Sequence, residues 1–168
     1  MENGVEIAIR YARDADFTAL WPILRGVIRA GDTYTIEPGL TREAVRALWM
    51  EVPRATYVAE IAGEVLGTYY IKTNQPGGGA HVCNAGFMVS EAARGRGLAR
   101  AMCLHSQDEA RVMGYLAMQF NFVVETNRGA IALWEDLGFE TVGRLPRAFQ
   151  HPAEGFVNAR VMYKWIGD

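Results

Sequence analysis

Residues 89–100, Val89-Ser90-Glu91-Ala92-Ala93-Arg94-Gly95-Arg96-Gly97-Leu98-Ala99-Arg100, hold the most chemically suggestive spacing in the chain. A β-type apolar stretch leads in, glycines alternate with arginines, and a small-and-apolar helical pattern follows. Glycines let a backbone come close to a ligand, and the first amides of a helix have no partner of their own. With the positive end of the helix dipole behind them, such amides cradle an anion, phosphate above all. Arg94, Arg96 and Arg100 add charge at the same place. Two nucleotide-binding patterns are excluded. Gly95 to Arg100 lacks the last small residue of a dinucleotide fingerprint and does not follow a first strand. No Gly-Lys-Ser/Thr closes the turn, so it is not a P-loop.

The elements that must position this turn are readable on both sides of it. Residues 5–10 alternate as a strand does. Asp14 is the expected N-cap of a helix carrying Phe17, Leu20, Leu24, Val27 and Ile28 and ended by Gly31-Asp32. Thr41 caps a second helix, with Ala44, Val45, Leu48 and Trp49 on one face and Pro53 as its stop. Residues 55–62 and 64–72 read as a hairpin through Ala62-Gly63-Glu64. Residues 74–79 are a loop and 81–89 a strand. A helix from about Gly97 to Met113, a strand from Tyr115 to Val124 and a helix from Asn127 to Leu137 follow, the last closed by Gly138 as a C′ glycine. Phe139–Arg144 and Val157–Ile166 read as closing strands around a polar loop with Pro146, His151 and Pro152. The order β-α-α-β-β-β-α-β-α-β-β predicts an α/β protein with a mixed sheet. With no internal repeat or linker, residues 1–168 are expected to form one domain.

Composition narrows the function classes. Half of the 168 residues are apolar and 21% are charged, enough for a core and unlike a disordered chain. A formal charge of −2 speaks against nucleic acid as a partner. No uncharged apolar run approaches the roughly 20 residues that span a bilayer. Met1-Glu2-Asn3-Gly4-Val5-Glu6 lacks the basic start and apolar stretch of a signal peptide. A soluble, cytoplasmic protein is expected. Cys83 and Cys103 sit apart from any His/Cys cluster and are expected as small buried apolar residues, with no disulfide and no metal. The skew of 15 Arg to 2 Lys reads as genome composition.

The chain resembles the GCN5-related N-acetyltransferase (GNAT) superfamily. Arg94-Gly95-Arg96-Gly97-Leu98-Ala99 fits that family's pyrophosphate pattern, Gln/Arg-x-x-Gly-x-Gly/Ala, at every specified position. Its second motif appears as Asn127-Arg128-Gly129-Ala130-Ile131-Ala132-Leu133-Trp134-Glu135-Asp136-Leu137-Gly138-Phe139. The element order matches from about Val5 to Ile166. The resemblance implies a GNAT-like acyl-CoA N-acyltransferase fold, with the acyl-CoA held between two splayed strands that end at Val89 and Val124. The backbone of Phe87, Met88 and Val89 should pair with the pantetheine arm. The amides of Arg94, Gly95, Arg96, Gly97, Leu98 and Ala99 should hold the pyrophosphate, and Asn127 should reach the pantetheine or the acceptor.

The implied reaction is direct attack of a primary amine on the acetyl-CoA thioester. It needs a neutral amine, a stabilised oxyanion and a thiolate that can leave. A backbone N–H near Val89 is the expected oxyanion donor. Trp134 stands where many family members carry a Tyr as acid, and an indole cannot release a proton at working pH. A thiol pKa of roughly 8.5 makes the acid dispensable. An alkylamine near pKa 10.4 needs a base, whereas an α-amine near 8 needs far less help. Candidate bases are His81, Glu37, Glu125 and His151, with His81 relaying a proton through water held near Asn84. The phosphinothricin-acetyltransferase branch, which the chain also resembles, has a Glu as base at the place of Asn84, and Asn cannot be one. Tyr34 and Glu37 lie in a loop that lines the acceptor site in this fold. Asn121 and Glu125 share a strand face before Asn127. His151, in the last loop, is expected as a rim residue or as plain surface, and His105, beside Asp108 and Glu109, is expected on the solvated surface.

The expected activity is therefore acetyl-CoA-dependent N-acetylation of a small-molecule amine. Acetylation of a protein N-terminus or lysine, and a non-catalytic acyl-CoA sensor, are the alternatives. Acetyl-CoA is the cosubstrate and a small amine the acceptor, with no metal, nucleic acid or membrane, and with homodimerisation left open.

Overall fold

The computed structural model describes residues 4–168, so the signal-peptide reading of Met1 to Asn3 lies outside the described residues. Strand β1 (Ile7–Tyr11) is followed by helix α1 (Phe17–Ala30) and helix α2 (Arg42–Arg46), which runs on through a π-turn at Ala47–Glu51. Strands β2 (Ala55–Ile61), β3 (Glu64–Thr73) and β4 (Val82–Val89) come next. Then follow α3 (Leu98–Val112), β5 (Ala117–Val124), α4 (Arg128–Asp136), β6 (Glu140–His151) and β7 (Gly155–Trp165). The seven strands form one sheet in the order β1-β2-β3-β4-β5-β7-β6. Among the described residues only β4 and β5 pair in parallel; every other neighbour is antiparallel. The mixed sheet expected from the element order is thus present.

Local chemistry accounts for the element ends. Ala62 and Gly63, at φ 51 and 79, form the tight turn between β2 and β3. Thr41 accepts the Ala44 N–H at 3.1 Å, and Gly31 and Gly138 close α1 and α4 at φ 65 and 92. The expected cap at Asp14 does not form. The chain enters α1 through a short 3-10 turn at Asp14–Asp16, and Asp16 takes the Arg13 N–H at 2.6 Å. Asp14 turns out to solvent beside Arg46. The expected polar loop between the last strands is also absent. β6 continues to His151, with a bulge between Leu145 and Phe149 that absorbs Pro146 and places Arg147 at φ 52.

Each face of the sheet buries its own cluster. Phe17, Leu20, Leu24, Ile28, Val45 and Trp49 cover Val58 and Met88 on the α1–α2 face. Trp49 is 1% exposed and donates to Thr68 Oγ1 at 3.0 Å, which fixes the π-turn on the sheet. Truncating such a residue costs about 3–5 kcal/mol. On the other face α3 and α4 cover Tyr69, Ile71, Met118 and Phe120. Cys83 and Cys103 are free and buried there, and burial pushes both thiols up to about 12, as inert core residues. Among the described residues no helix is long and apolar enough to cross a membrane.

Candidate active site

The site is built on the one parallel pair. β4 and β5 are in register only from Val82↔Ala117 to Asn84↔Gln119, and then part. β5 carries an extra residue relative to β7 between Phe120 and Val123, a bulge that turns it away. Asn84, 7% exposed, closes the crotch of this fork. Its Nδ2 donates to the Gln119 carbonyl at 3.0 Å, and its Oδ1 accepts the Tyr70 hydroxyl at 3.3 Å. Asn84 thus spends its amide on the fork rather than standing free for a water or a substrate.

Antiparallel pairing decides which backbone groups of β4 face the gap. The bonds Ser90 N–H to Leu66 C=O and Asn74 N–H to Val82 C=O show that the even-numbered residues bond to β3. The backbone of Met88 is therefore spent on β3, against the expected pantetheine contact. Its side chain is buried under α1 and α2. Ala85, Phe87 and Val89 turn their N–H and C=O groups into the gap. At Phe87 both are already engaged: the Tyr34 hydroxyl accepts the N–H at 2.8 Å and donates to the C=O at 2.6 Å. Tyr34 comes from the α1–α2 loop, and burial holds its phenol well above the ordinary value. Val89 N–H has no such partner among the described residues.

Past Val89, a 3-10 turn at Glu91–Ala93 leads to Gly95 and Gly97 at φ 78 and 83. A Cβ at either position would meet nothing within 4 Å, so the turn is open on its outer side. The N–H groups of Arg94 and Arg96 bond back to the Glu91 and Ala93 carbonyls. These two residues therefore offer side chains rather than amides. The first backbone bond of α3 is Ala101 N–H to Gly97 C=O, which leaves the amides of Gly97, Leu98 and Ala99 unpaired among the described residues. Arg100 pairs with Asp136 at 2.6 Å and ties the start of α3 to the end of α4.

On the α3–α4 side of the gap stands Trp134, 8% exposed, with its ring 5.2 Å from Phe87 and 5.0 Å from Phe120. Asn127 caps α4 by accepting the Ala130 N–H at 3.3 Å, so only its Nδ2 is left to face a ligand.

The other candidates are scattered. His81 lies at the closed end of β4, exposed, its ring 6.2 Å from Trp165. The structure does not bring it to the open gap, and strand alternation sets it on the opposite face from Asn84. Glu125 is held by Arg144 at 2.8 Å and Arg160 at 3.2 Å. Desolvation works against its charge, but hydrogen bonds and these guanidiniums hold its carboxyl below the usual range, which makes it a poor base. His151 Nδ1 accepts the Ala153 and Glu154 N–H groups at 3.1 Å each and serves the β6–β7 turn. Glu37 is exposed on the α1–α2 loop. Asn121 links Gln119 at 2.9 Å to Asn74 at 2.7 Å. His105 is not plain surface: its Nδ1 lies 2.7 Å from the Tyr69 hydroxyl.

Two residues that the sequence reading missed, Tyr70 and Lys72, lie beside Asn84 on β3. Lys72 is in register with Asn84, and its Nζ lies 5.4 Å from the Tyr70 ring centre. Period-2 spacing along the hairpin was the signal that could have found them.

Residues 21–139 match the acetyltransferase (GNAT) family. The chain is 32% identical to the N-acetyltransferase aca1 of Schizosaccharomyces pombe over 151 residues, 80% of this chain and 72% of that protein. A GCN5-related N-acetyltransferase from Kribbella flavida is 47% identical, with a TM-score of 0.91 over 95% of this chain and 97% of its own. The structure of yncA from Salmonella typhimurium with its cofactor acetyl-CoA superposes with a TM-score of 0.81 over 97% and 95% at 21% identity.

Proposed function

The chain belongs to the GNAT acetyltransferase family and is an acetyl-CoA-dependent N-acetyltransferase; from that premise we propose that its acceptor is the primary amine of a small molecule. One observation carries this reading. Tyr34, Ile36 and Leu40 of the 31–40 loop pack on the α1–α2 cluster, which holds the loop over the acceptor side of the fork even where a donor arm takes the Phe87 backbone from the Tyr34 hydroxyl. A loop held there leaves room for a compact amine and obstructs an extended peptide.

The residues fit the donor. The unpaired amides of Gly97, Leu98 and Ala99, with the open glycine at 95 and the side chains of Arg94 and Arg96, suit a pyrophosphate. The gap-facing backbone of Ala85 and Val89, and of Phe87 when Tyr34 yields, suits an amide-bearing arm. Trp134 and Phe87 wall the inner end, and Asn127 offers Nδ2. Acetyl-CoA supplies the thioester that the amine attacks. Val89 N–H would hold the developing negative charge on the carbonyl oxygen, an effect typically worth about 3–4 kcal/mol. The amine reaches the gap from the α1–α2 face, past Tyr34 and the floor of Tyr70, Asn84, Gln119 and Asn121.

β4, β5 and residues 68–73 of β3 contain no Asp or Glu. The floor therefore supplies no fixed carboxylate base, and an acceptor of low amine pKa suits it best. Asp32 and Glu37, on the loop, are the acidic residues nearest to Tyr34 in sequence. Thiol release from acetyl-CoA over a panel of amino acids, polyamines and short peptides tests the reading. Small amines should turn over and peptides should not. Turnover confined to peptides, or tight acetyl-CoA binding with no turnover, would overturn it.

A further inference from the structure

Resting on the small-acceptor reading, we infer that Lys72 is the specificity residue of the acceptor site and that it selects an acceptor carrying a carboxylate, as an amino acid does. Gly86 of β4 faces the ring of Tyr70. A Cβ there would stand 2.7 to 2.9 Å from Cε1, Cζ and the hydroxyl of Tyr70, so the Tyr70 ring lies flat across the β4 backbone at this residue. That position is one residue from Phe87, whose backbone opens into the fork. The Tyr70 hydroxyl reaches on to Asn84 at the crotch. Lys72 Nζ rides over this same ring, 5.4 Å from its centre. The ammonium is thereby held on the acceptor face, beside the gap.

The surrounding floor is polar and uncharged. Asn84 is spent on Gln119 and Tyr70, and Gln119, Asn121 and Asn74 satisfy one another in a row of amides. Among the described residues no carboxylate forms an ion pair with Lys72. Chain composition sharpens the point: the other lysine, Lys164, is tied to Gln107 at 2.6 Å and to the Leu137 carbonyl at 2.8 Å. A single ammonium over an aromatic ring, on a floor without acids, attracts an anion and repels a second cation. A polyamine finds no counter-charge on these strands. An amino acid finds one for its carboxylate, which a polyamine lacks.

The test pairs acceptors of one shape and different charge: an amino acid, its primary amide and the corresponding decarboxylated amine. The wild-type enzyme should prefer the acid over both by at least tenfold in kcat/KM. In Lys72→Met that preference should collapse, with the loss for the acid concentrated in KM, and Lys72→Arg should restore most of it. Equal use of acid and amide by the wild type, or a preference that survives in Lys72→Met, would overturn the inference while leaving the small-acceptor reading standing. If no small amine turns over and peptides do, both fall together.

Discussion

The Tyr34 hydroxyl accepts the Phe87 N–H at 2.8 Å and donates to the Phe87 carbonyl at 2.6 Å, filling the place of a partner strand in the open fork. A ligand arm that pairs with Phe87 must displace it. Tyr34→Phe removes the hydroxyl and leaves two backbone groups unpaired, at about 1–3 kcal/mol for each group that water cannot reach. The variant should melt below the wild type without ligand, and acetyl-CoA should raise its Tm by more than it raises that of the wild type. Equal shifts would mean that Tyr34 stays on Phe87 with the donor bound.

That contact also marks where sequence reading stopped. The glycine turn, the Thr41 cap, the Gly138 stop and the Ala62-Gly63 turn were legible because each is a local rule acting within a few residues. Tyr34 and Phe87 are 53 residues apart, and nothing in the loop sequence says that its tyrosine enters the fork. Glu125 looked free because Arg144 and Arg160 reach it only after β6 and β7 fold back. Met88 is different. Its backbone was claimed for the donor because strand contacts were assigned as a run, whereas alternating hydrogen bonds allow only every second residue. The pairing of His81 with Asn84 failed on the same period of two.

Gly97 sits at φ 83 with open space where a Cβ would be. Gly97→Val puts a branched side chain into that space and strains the backbone. Acetyl-CoA binding should weaken at least tenfold, about 1.4 kcal/mol, by titration calorimetry. A folded variant with wild-type affinity would place the pyrophosphate elsewhere.

Trp134 packs on Phe87 and Phe120 as a wall and carries no transferable proton. Trp134→Phe keeps an aromatic surface and should leave the alkaline limb of the pH–rate profile where it is. Selective loss of that limb, with acetyl-CoA still bound, would give the indole N–H a part in the chemistry.

Asp16 binds both terminal nitrogens of Arg10 at 2.8 and 2.9 Å, and these hydrogen bonds hold its carboxyl below the ordinary value against the opposing effect of burial. The folded-state pKa lies below the unfolded one, so the contribution is complete above about pH 4–5 and fades as pH falls through the folded pKa. Asp16→Asn should therefore melt well below the wild type at pH 7, and the two Tm values should converge toward pH 2. A gap that persists at pH 2 would show that the loss is one of packing or of the Arg13 N–H bond, not of charge.

The last prediction concerns the proton. The floor of the fork holds the amides of Asn84, Gln119 and Asn121, the Tyr70 phenol and Lys72, and neither β4 nor β5 carries a histidine or a carboxylate. Tyr34 and Tyr70 are both raised by burial and stay protonated at working pH. His81, exposed beside Trp165 at the closed end of β4, is remote from the opening. The neutral fraction of the acceptor should then set the rate below its own pKa. The acidic limb of kcat/KM should track the acceptor, moving upward by about two units between an amino-acid amide, whose α-amine resembles a chain N-terminus near 8, and an alkylamine near 10.4. His81→Ala should change kcat/KM at pH 7 by less than twofold. A limb that stays fixed for both acceptors and is lost in His81→Ala would reinstate the histidine relay. A fixed limb lost in Glu37→Gln would assign the base to the loop.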